Sequence, residues 1–168
     1  MARAGGSGLL GAVLAAVLLA LMHGPAAPRV AAAEASPFDG LLGRWVGEGR
    51  LGIRDGTSED VKCRVTYLAP QAASLTQTIR CAAASGSVEV RSTITHAAGK
   101  LTGTWRELSR DMGGEVTGSV TPEGFRISIK GDAVSANMVI ILKGNKQIIE
   151  IQFLTGSLLG LSLALEKG

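Results

Sequence analysis

Two neighbouring stretches of the sequence alternate inward and outward positions: residues 61–67 read Val-Lys-Cys-Arg-Val-Thr-Tyr, and residues 75–81 read Leu-Thr-Gln-Thr-Ile-Arg-Cys. A period of two is typical of β-strands, whose successive side chains point to opposite faces of a sheet. The two stretches therefore predict a pair of strands joined by the intervening residues.

The pairing of these two strands can be counted from the sequence. A hairpin turn around Gln71 and Ala72 places Cys63 opposite Cys81 and Val65 opposite Ile79. A shift by one residue would move every apolar side chain to the other face, so the agreement of the two faces supports this register.

This register brings the only two cysteines of the chain together and predicts a disulfide between Cys63 and Cys81. We interpret the bond as a structural disulfide that stabilises the fold. The alternative, a redox-active pair, usually has the C-x-x-C spacing at a helix start, and neither the spacing nor the helix is found.

Alternation continues from residue 41 to residue 168 and predicts ten strands separated by turn-forming residues. The Gly144-Asn145 turn opposes Ile140 to Ile149, and the turn at residues 155–157 opposes Ile151 to Leu161. Strands that pair with their sequence neighbours form an up-and-down antiparallel meander. The predicted fold class is therefore all-β.

The Leu-rich tail, residues 159–165, alternates strictly and is interpreted as the last strand. Its alternative is an amphipathic or membrane-seeking segment. An unpaired apolar edge invites aggregation, so we expect the tail to pair with the first strand, residues 41–53, and close a small barrel. Glycines inside strands, such as Gly47 and Gly103, fit the bends of a curved sheet. A sandwich of two five-stranded sheets is the structural alternative.

Residues 1–33 have the pattern of a secretory signal peptide: Arg3, then an apolar run at residues 9–22, then small residues at 31–33. We expect cleavage near Ala33, a short linker at residues 34–40 and a single barrel domain at 41–168. The run is shorter than the roughly 20 residues of a transmembrane helix, so no stable membrane anchor is expected after cleavage. The predicted location is periplasmic or secreted.

The net charge of +3 belongs mostly to the predicted signal. Without residues 1–33 the chain keeps 15 basic and 14 acidic residues, a net charge of +1. The positive residues are scattered, and aromatic residues make up only 4% of the chain. Both observations argue against a nucleic-acid partner.

No catalytic constellation is found, and the protein is expected not to be an enzyme. After residue 33 the only histidine is His96, which is interpreted as an ordinary residue at the barrel rim. A metal site needs three or four converging ligands, and the sequence offers only scattered carboxylates. We predict no catalytic residue, no metal site and no cofactor.

The candidate ligand-lining residues lie at the alternate strand positions that are predicted to face the interior: Trp45, Tyr67, Gln77 and Trp105. Ligand pockets are mostly apolar with a few fixed polar groups, and Tyr67 and Gln77 are predicted to face each other. The alternative is that these side chains hydrogen-bond to one another and fill the interior.

Short motifs around two tryptophans resemble the calycin group, which includes lipocalins, fatty-acid-binding proteins and avidins. Residues 42–49, Leu-Gly-Arg-Trp-Val-Gly-Glu-Gly, look like its G-x-W opening strand and are similar to the opening of nitrobindin-type haem barrels. Residues 101–105 repeat the G-x-W pattern and resemble avidin's opening. With Cys63-Arg64 and Arg80-Cys81, most of the chain resembles a group of exported alphaproteobacterial proteins.

The calycin resemblance implies an up-and-down barrel that holds a small apolar ligand. Its haem version implies a histidine ligand in a late strand, and no histidine follows His96. We therefore predict an exported, non-enzymatic protein that holds a small apolar or amphipathic molecule. The alternative is an envelope interaction or inhibitor protein with a filled interior, acting through loops such as residues 107–112.

Overall fold

A computed structural model describes residues 35–168, which form ten β-strands. Among these residues the structure contains no helix that could span a membrane. The predicted signal peptide, residues 1–33, lies outside the described residues. The strands are β1 (Gly43–Ile53), β2 (Ser58–Gln71), β3 (Ser74–Ala83), β4 (Gly86–Ala97), β5 (Lys100–Glu107), β6 (Met112–Thr121), β7 (Gly124–Gly131), β8 (Ser135–Lys143), β9 (Lys146–Phe153) and β10 (Leu158–Lys167).

Each strand pairs antiparallel with its sequence neighbours, and β1 also pairs with β10, so the sheet closes into a barrel. The predicted all-β meander of ten strands is confirmed, and the sandwich alternative is excluded. The tail is the strand that closes the sheet: Leu163 pairs with Gly49, and Leu165 pairs with Gly47. Closure removes both edges of the sheet.

The observed register agrees with the counted one. Cys63 pairs with Cys81, Ile140 with Ile149, and Ile151 with Leu161. Apolar residues of one parity therefore share the interior, as the side-chain period of two requires. The disulfide joins Cys63 and Cys81 with an S–S distance of 2.06 Å and a Cα–Cα distance of 4.2 Å.

Inward-facing glycines allow β1 and β10 to approach closely at the seam of the barrel. A Cβ atom on Gly47 would lie 1.9 Å from the carbonyl oxygen of Ala164. A Cβ atom on Gly49 would lie 1.8 Å from the carbonyl oxygen of Ser162. No side chain fits at either position, which explains why two glycines occupy a strand that they would otherwise weaken.

The residues before β1 pack into one end of the barrel. Residues 37–41 form a turn, and β1 begins at Gly43, two residues later than the predicted start of the strand. Phe38 is 1% exposed, and its ring stacks on Phe125 with centroids 6.0 Å apart. The indole Nε1 of Trp45 donates to the carbonyl oxygen of Leu41 at 2.6 Å. The turn therefore closes this end of the barrel, and we call residues 37–41 the plug.

Candidate functional site

The two ends of the barrel carry different sets of loops. At the end that we call the base, hairpin turns at 72–73, 98–99, 122–123 and 144–145 surround the plug formed by residues 37–41. At the opposite end, which we call the mouth, the connections are residues 54–57, 84–85, 108–111, 132–134 and 154–157. The inward side chains near each end decide whether the interior is filled there.

A polar cluster is buried beside the plug at the base. The hydroxyl of Tyr67 accepts hydrogen bonds from Nε2 of Gln147 at 2.9 Å and from Nε2 of Gln77 at 3.2 Å. All three residues are buried. Burial raises the pKa of Tyr67 to about 12, although the two amide hydrogen bonds oppose the shift. The phenol is therefore neutral at physiological pH and holds the base together.

A cavity of about 320 Å³ occupies the interior between the middle of the barrel and the mouth. Its deeper wall contains buried residues such as Ile94, Val116 and Ile149. Its outer wall contains exposed loop residues such as Ser85 and Arg110, so the cavity reaches the surface at the mouth. Most of the remaining lining is aliphatic, as is usual for sites that bind small molecules.

Short side chains on the inward faces leave this space open. Ser92 and Ala136 lie at inward positions on β4 and β8 and are buried, yet neither reaches far into the interior. Ala83 has the same effect on β3. Small barrels usually fill their interior with larger side chains, so this lining is the local reason for the cavity.

Two charged residues of the described range 35–168 line the cavity, and both lie at the mouth. Glu107 is 2% exposed, and its carboxylate accepts the backbone N–H groups of Ser109 at 2.9 Å and Arg110 at 2.7 Å. Burial alone would raise the pKa of Glu107, but these donors outweigh it and the pKa lies below its usual value. The side chain of the second residue, Arg110, is exposed.

The four residues predicted to line a ligand site are all buried, and the structure separates them into two pairs. Gln77 and Trp105 line the cavity. Trp45 and Tyr67 lie at the base and contribute nothing to its wall. Trp105 is 8% exposed, and its Nε1 atom has no hydrogen-bond partner among residues 35–168. The predicted contact between Tyr67 and Gln77 is present.

The sequence prediction missed other residues of the cavity wall and of the base, although they lie at inward-facing alternate positions of their strands. Ser92 shares the inward face of β4 with Ile94, and Gln147 shares that of β9 with Ile149. Glu107 continues the inward face of Trp105 on β5. The alternation predicts inward positions for these residues, but their polar side chains did not mark them as interior residues. Arg110 lies in a loop, where no periodicity applies.

The one histidine among residues 35–168 lies away from the cavity. His96 lies at the base, where its Nε2 atom accepts the backbone N–H of Gly99 at 3.1 Å. Its ring contacts Phe38 edge-to-face, and no histidine from residues 35–168 lines the cavity. Within the described range, no group of three or more His, Cys, Asp or Glu residues could hold a metal ion. The haem site that the nitrobindin resemblance implies therefore does not fit these residues.

Comparison with known proteins gives the fold. No family model matches the chain. No curated protein matches it either. Among solved structures, Rv2717c from M. tuberculosis is similar with a TM-score of 0.67 and 16% identity, covering 78% of this chain and 94% of that chain.

Two further solved structures are more distant. EF1p2_mFAP2b bound to DFHBI has a TM-score of 0.48 and 8% identity, covering 81% of this chain and 100% of that chain. A de novo designed fluorescence-activating β-barrel has a TM-score of 0.40 and 15% identity, covering 76% of this chain and 93% of that chain. The likeness to Rv2717c supports the expected fold, a small β-barrel.

Proposed function

We propose that this protein is an exported, non-enzymatic barrel that binds a small apolar or amphipathic molecule. The observation that carries the proposal is the cavity of about 320 Å³ that reaches the surface at the mouth. Its volume lies at the lower end of the range for small-molecule sites, about 300–1,000 Å³. A compact ligand, smaller than most cofactors, fits this space.

The energetics of the lining favour an apolar occupant. Water makes few hydrogen bonds to aliphatic walls. A ligand that displaces this water therefore breaks few hydrogen bonds between water and protein. Each Å² of apolar surface removed from water contributes about 25 cal/mol. Gln77 and Ser92 supply polar contacts that orient the ligand, and Trp105 supplies a flat apolar wall. Trp45 and Tyr67 act indirectly by closing the base.

Export is the second part of the proposal. The signal-like pattern at residues 1–33 and the disulfide between Cys63 and Cys81 both suit an oxidising compartment, either the periplasm or the medium. Under this proposal the linker and barrel remain after cleavage and have no membrane anchor. Membership of the calycin group, and the relation to the exported alphaproteobacterial proteins, belong to the same proposal.

The loop-based alternative receives less support. An envelope interaction or inhibitor protein needs a rigid scaffold for its loops and has no use for an interior cavity. A filled interior would therefore have favoured it. The connection after Glu107 is four residues long, as are those at 54–57 and 154–157, so no loop stands out as a binding element.

Fluorescence titration with the neutral apolar dye N-phenyl-1-naphthylamine tests the proposal. We expect saturable binding by the purified barrel and its loss in Val90→Trp, because Val90 lines the cavity. The control is Val46→Trp, the same replacement at an outward residue that is 41% exposed. Binding that survives in Val90→Trp, or is absent from the unaltered protein, would overturn the proposal.

A further inference from the structure

The outer face of β8 is apolar, unlike the outer faces of most strands of this barrel. Residues 138–142 of the strand read Met-Val-Ile-Ile-Leu. Met138 and Ile140 are buried in the core, so Val139 and Ile141 point outwards. An antiparallel sheet that faces solvent has polar residues on its outer side, whereas strands that are covered on both sides are apolar throughout. The sequence of β8 is therefore typical of a strand whose outer side is also covered.

The neighbouring strands extend this apolar surface. Ile141 pairs with Ile148 of β9, and Ile148 pairs with Ala164 of β10. All three side chains are exposed. We call Val139, Ile141, Ile148 and Ala164 the apolar patch. Single exposed apolar residues need no explanation, but contiguous ones with a charged rim mark an interaction site.

The central strand of the patch carries opposite charges on either side of Ile148. Lys146, Ile148 and Glu150 follow one another along the outer face of β9. Lys146 is paired with Glu166 of β10 at 3.8 Å, and both side chains are exposed, so the pair contributes little and can exchange partners. Glu150 accepts a hydrogen bond from the hydroxyl of Ser162 and forms no ion pair within residues 35–168. The strand thus has a cationic and an anionic end at equal distances from Ile148.

We propose that the apolar patch is the interface of a dimer, in which β9 packs antiparallel on β9 of a second copy of this chain. A two-fold axis that crosses β9 at Ile148, perpendicular to the strand, places the same surface of both copies face to face. Lys146 of each copy then lies opposite Glu150 of the other. An axis parallel to the strand would set Lys146 against Lys146, so the charges select the antiparallel arrangement.

The shape of the barrel limits the size of this interface. Two convex barrels that meet side by side touch along a narrow strip, here β9 with β8 and β10 on its flanks. Three strands span about 10 Å and five residues of β9 span about 14 Å. Such a contact lies at the low end of specific interfaces, below about 1,200 Å² of total buried surface, so we expect micromolar affinity. The next outward charges, Arg126 on β7 and Arg50 on β1, lie two strands from β9 and outside the strip.

The proposed dimer leaves the interior of each barrel accessible. The hairpin turn before β9 lies at the base and the connection after it lies at the mouth, so Ile148 is on the side of the barrel. In the antiparallel arrangement the two mouths point in opposite directions. The dimer therefore stands or falls independently of ligand binding.

Sedimentation velocity at protein concentrations from about 1 μM to about 300 μM tests the dimer. At low salt we expect a monomer–dimer equilibrium, which should weaken as salt is added because the charge pairs lie at the surface. Ile148→Asp should leave a monomer at every concentration. The control, Leu68→Asp, introduces the same charge at an exposed residue of β2, three strands from β9, and should leave the equilibrium unchanged.

A charge exchange on β9 tests the antiparallel pairing itself. Lys146→Glu and Glu150→Lys each set like charges against one another across the two-fold axis. Each variant alone should therefore dimerise roughly tenfold more weakly, or worse. An equimolar mixture of the two should recover the dimer, because the heterodimer contains both pairs of opposite charge. Circular dichroism of each variant checks that the barrel is intact.

Three outcomes would overturn the proposal. The first is an unaltered protein that stays monomeric over the whole range of concentration, and the second is a dimer that persists in Ile148→Asp. The third is a mixture of Lys146→Glu and Glu150→Lys that remains monomeric, since the pairing of Lys146 with Glu150 requires recovery. The two charge variants alter only exposed side chains, so they decide the matter even if Ile148→Asp does not fold.

Discussion

Gln147 and Tyr67 lie 80 positions apart in sequence, yet Nε2 of Gln147 donates to the hydroxyl of Tyr67 at 2.9 Å. The bond joins β9 to β2, strands that are not neighbours in the barrel. It therefore crosses the interior at the base, next to the plug.

Tyr67 should titrate far above the usual range of a phenol. Its pKa is raised to about 12 by burial, against about 10 in the unfolded chain. Because the pKa is raised in the folded state, the contribution of Tyr67 to the free energy of unfolding is complete below about pH 10. It is lost as the pH rises through 12, by about 3 kcal/mol in total. Tyr67 is the only tyrosine, so absorbance at 295 nm reports it alone. A native midpoint near 10 would contradict the buried cluster, and Tyr67→Phe is the control for the signal.

The disulfide should be a major source of stability. Cys63 and Cys81 are separated by 18 positions, and closing a loop of this size stabilises a fold by about 3 kcal/mol in the chain-entropy account. We expect the double variant Cys63→Ala and Cys81→Ala to unfold at lower urea concentration than the oxidised protein. Adding a reductant should destabilise the unaltered protein alone. An unchanged urea midpoint would show that the bond has no structural role.

Phe38 should be essential to the base although it lies outside the strands. Its side chain is 1% exposed and stacks on Phe125. Replacement of a buried phenylalanine by alanine costs about 3–5 kcal/mol, so Phe38→Ala should lower the free energy of unfolding by that amount. Phe153→Ala, at a half-buried position of the mouth, is the matched control and should cost less. Similar losses in the two variants would argue against the plug.

Gly47 should not accept a side chain. A Cβ atom there would lie 1.9 Å from the carbonyl oxygen of Ala164, so Gly47→Ala must separate β1 from β10. We expect a loss of about 2 kcal/mol or more, measured by thermal unfolding. Gly52→Ala is the control in the same strand, because its nearest neighbour would be 3.7 Å away. If both variants unfold at the same temperature, the seam is looser than the structure indicates.

Strand pairing could be predicted from the sequence because alternation is a local property. Once a turn is placed, the period of two fixes both the partner and the face of every residue, as Cys63 and Cys81 illustrate. The closure of the sheet followed from the apolar tail, which needed a partner. These inferences use only neighbouring residues or the requirement that no edge be left unpaired.

The cavity and the plug could not be predicted in this way. Whether the interior is filled at a given level of the barrel depends on the side chains that all ten strands place at that level. The sequence does not give the position of each residue along the barrel axis. Trp45 and Trp105 have the same parity, yet the first lies at the base and the second lines the cavity. Phe38 belongs to a segment without periodicity, so nothing marked it as a core residue.

The pairing of β1 with β10 has a further consequence for how the chain folds. Every other pair of strands is a hairpin, whose two halves lie close together in sequence and meet quickly. The seam joins residues such as Trp45 and Lys167, so within residues 35–168 it is the one pair of hydrogen-bonded strands that requires almost the whole domain to be present. Loop closure over such a length costs more entropy than the closure of any of the hairpins. We expect the seam to form last, so that an unfinished chain is an open, curved sheet whose two free edges can pair with other copies until β10 arrives.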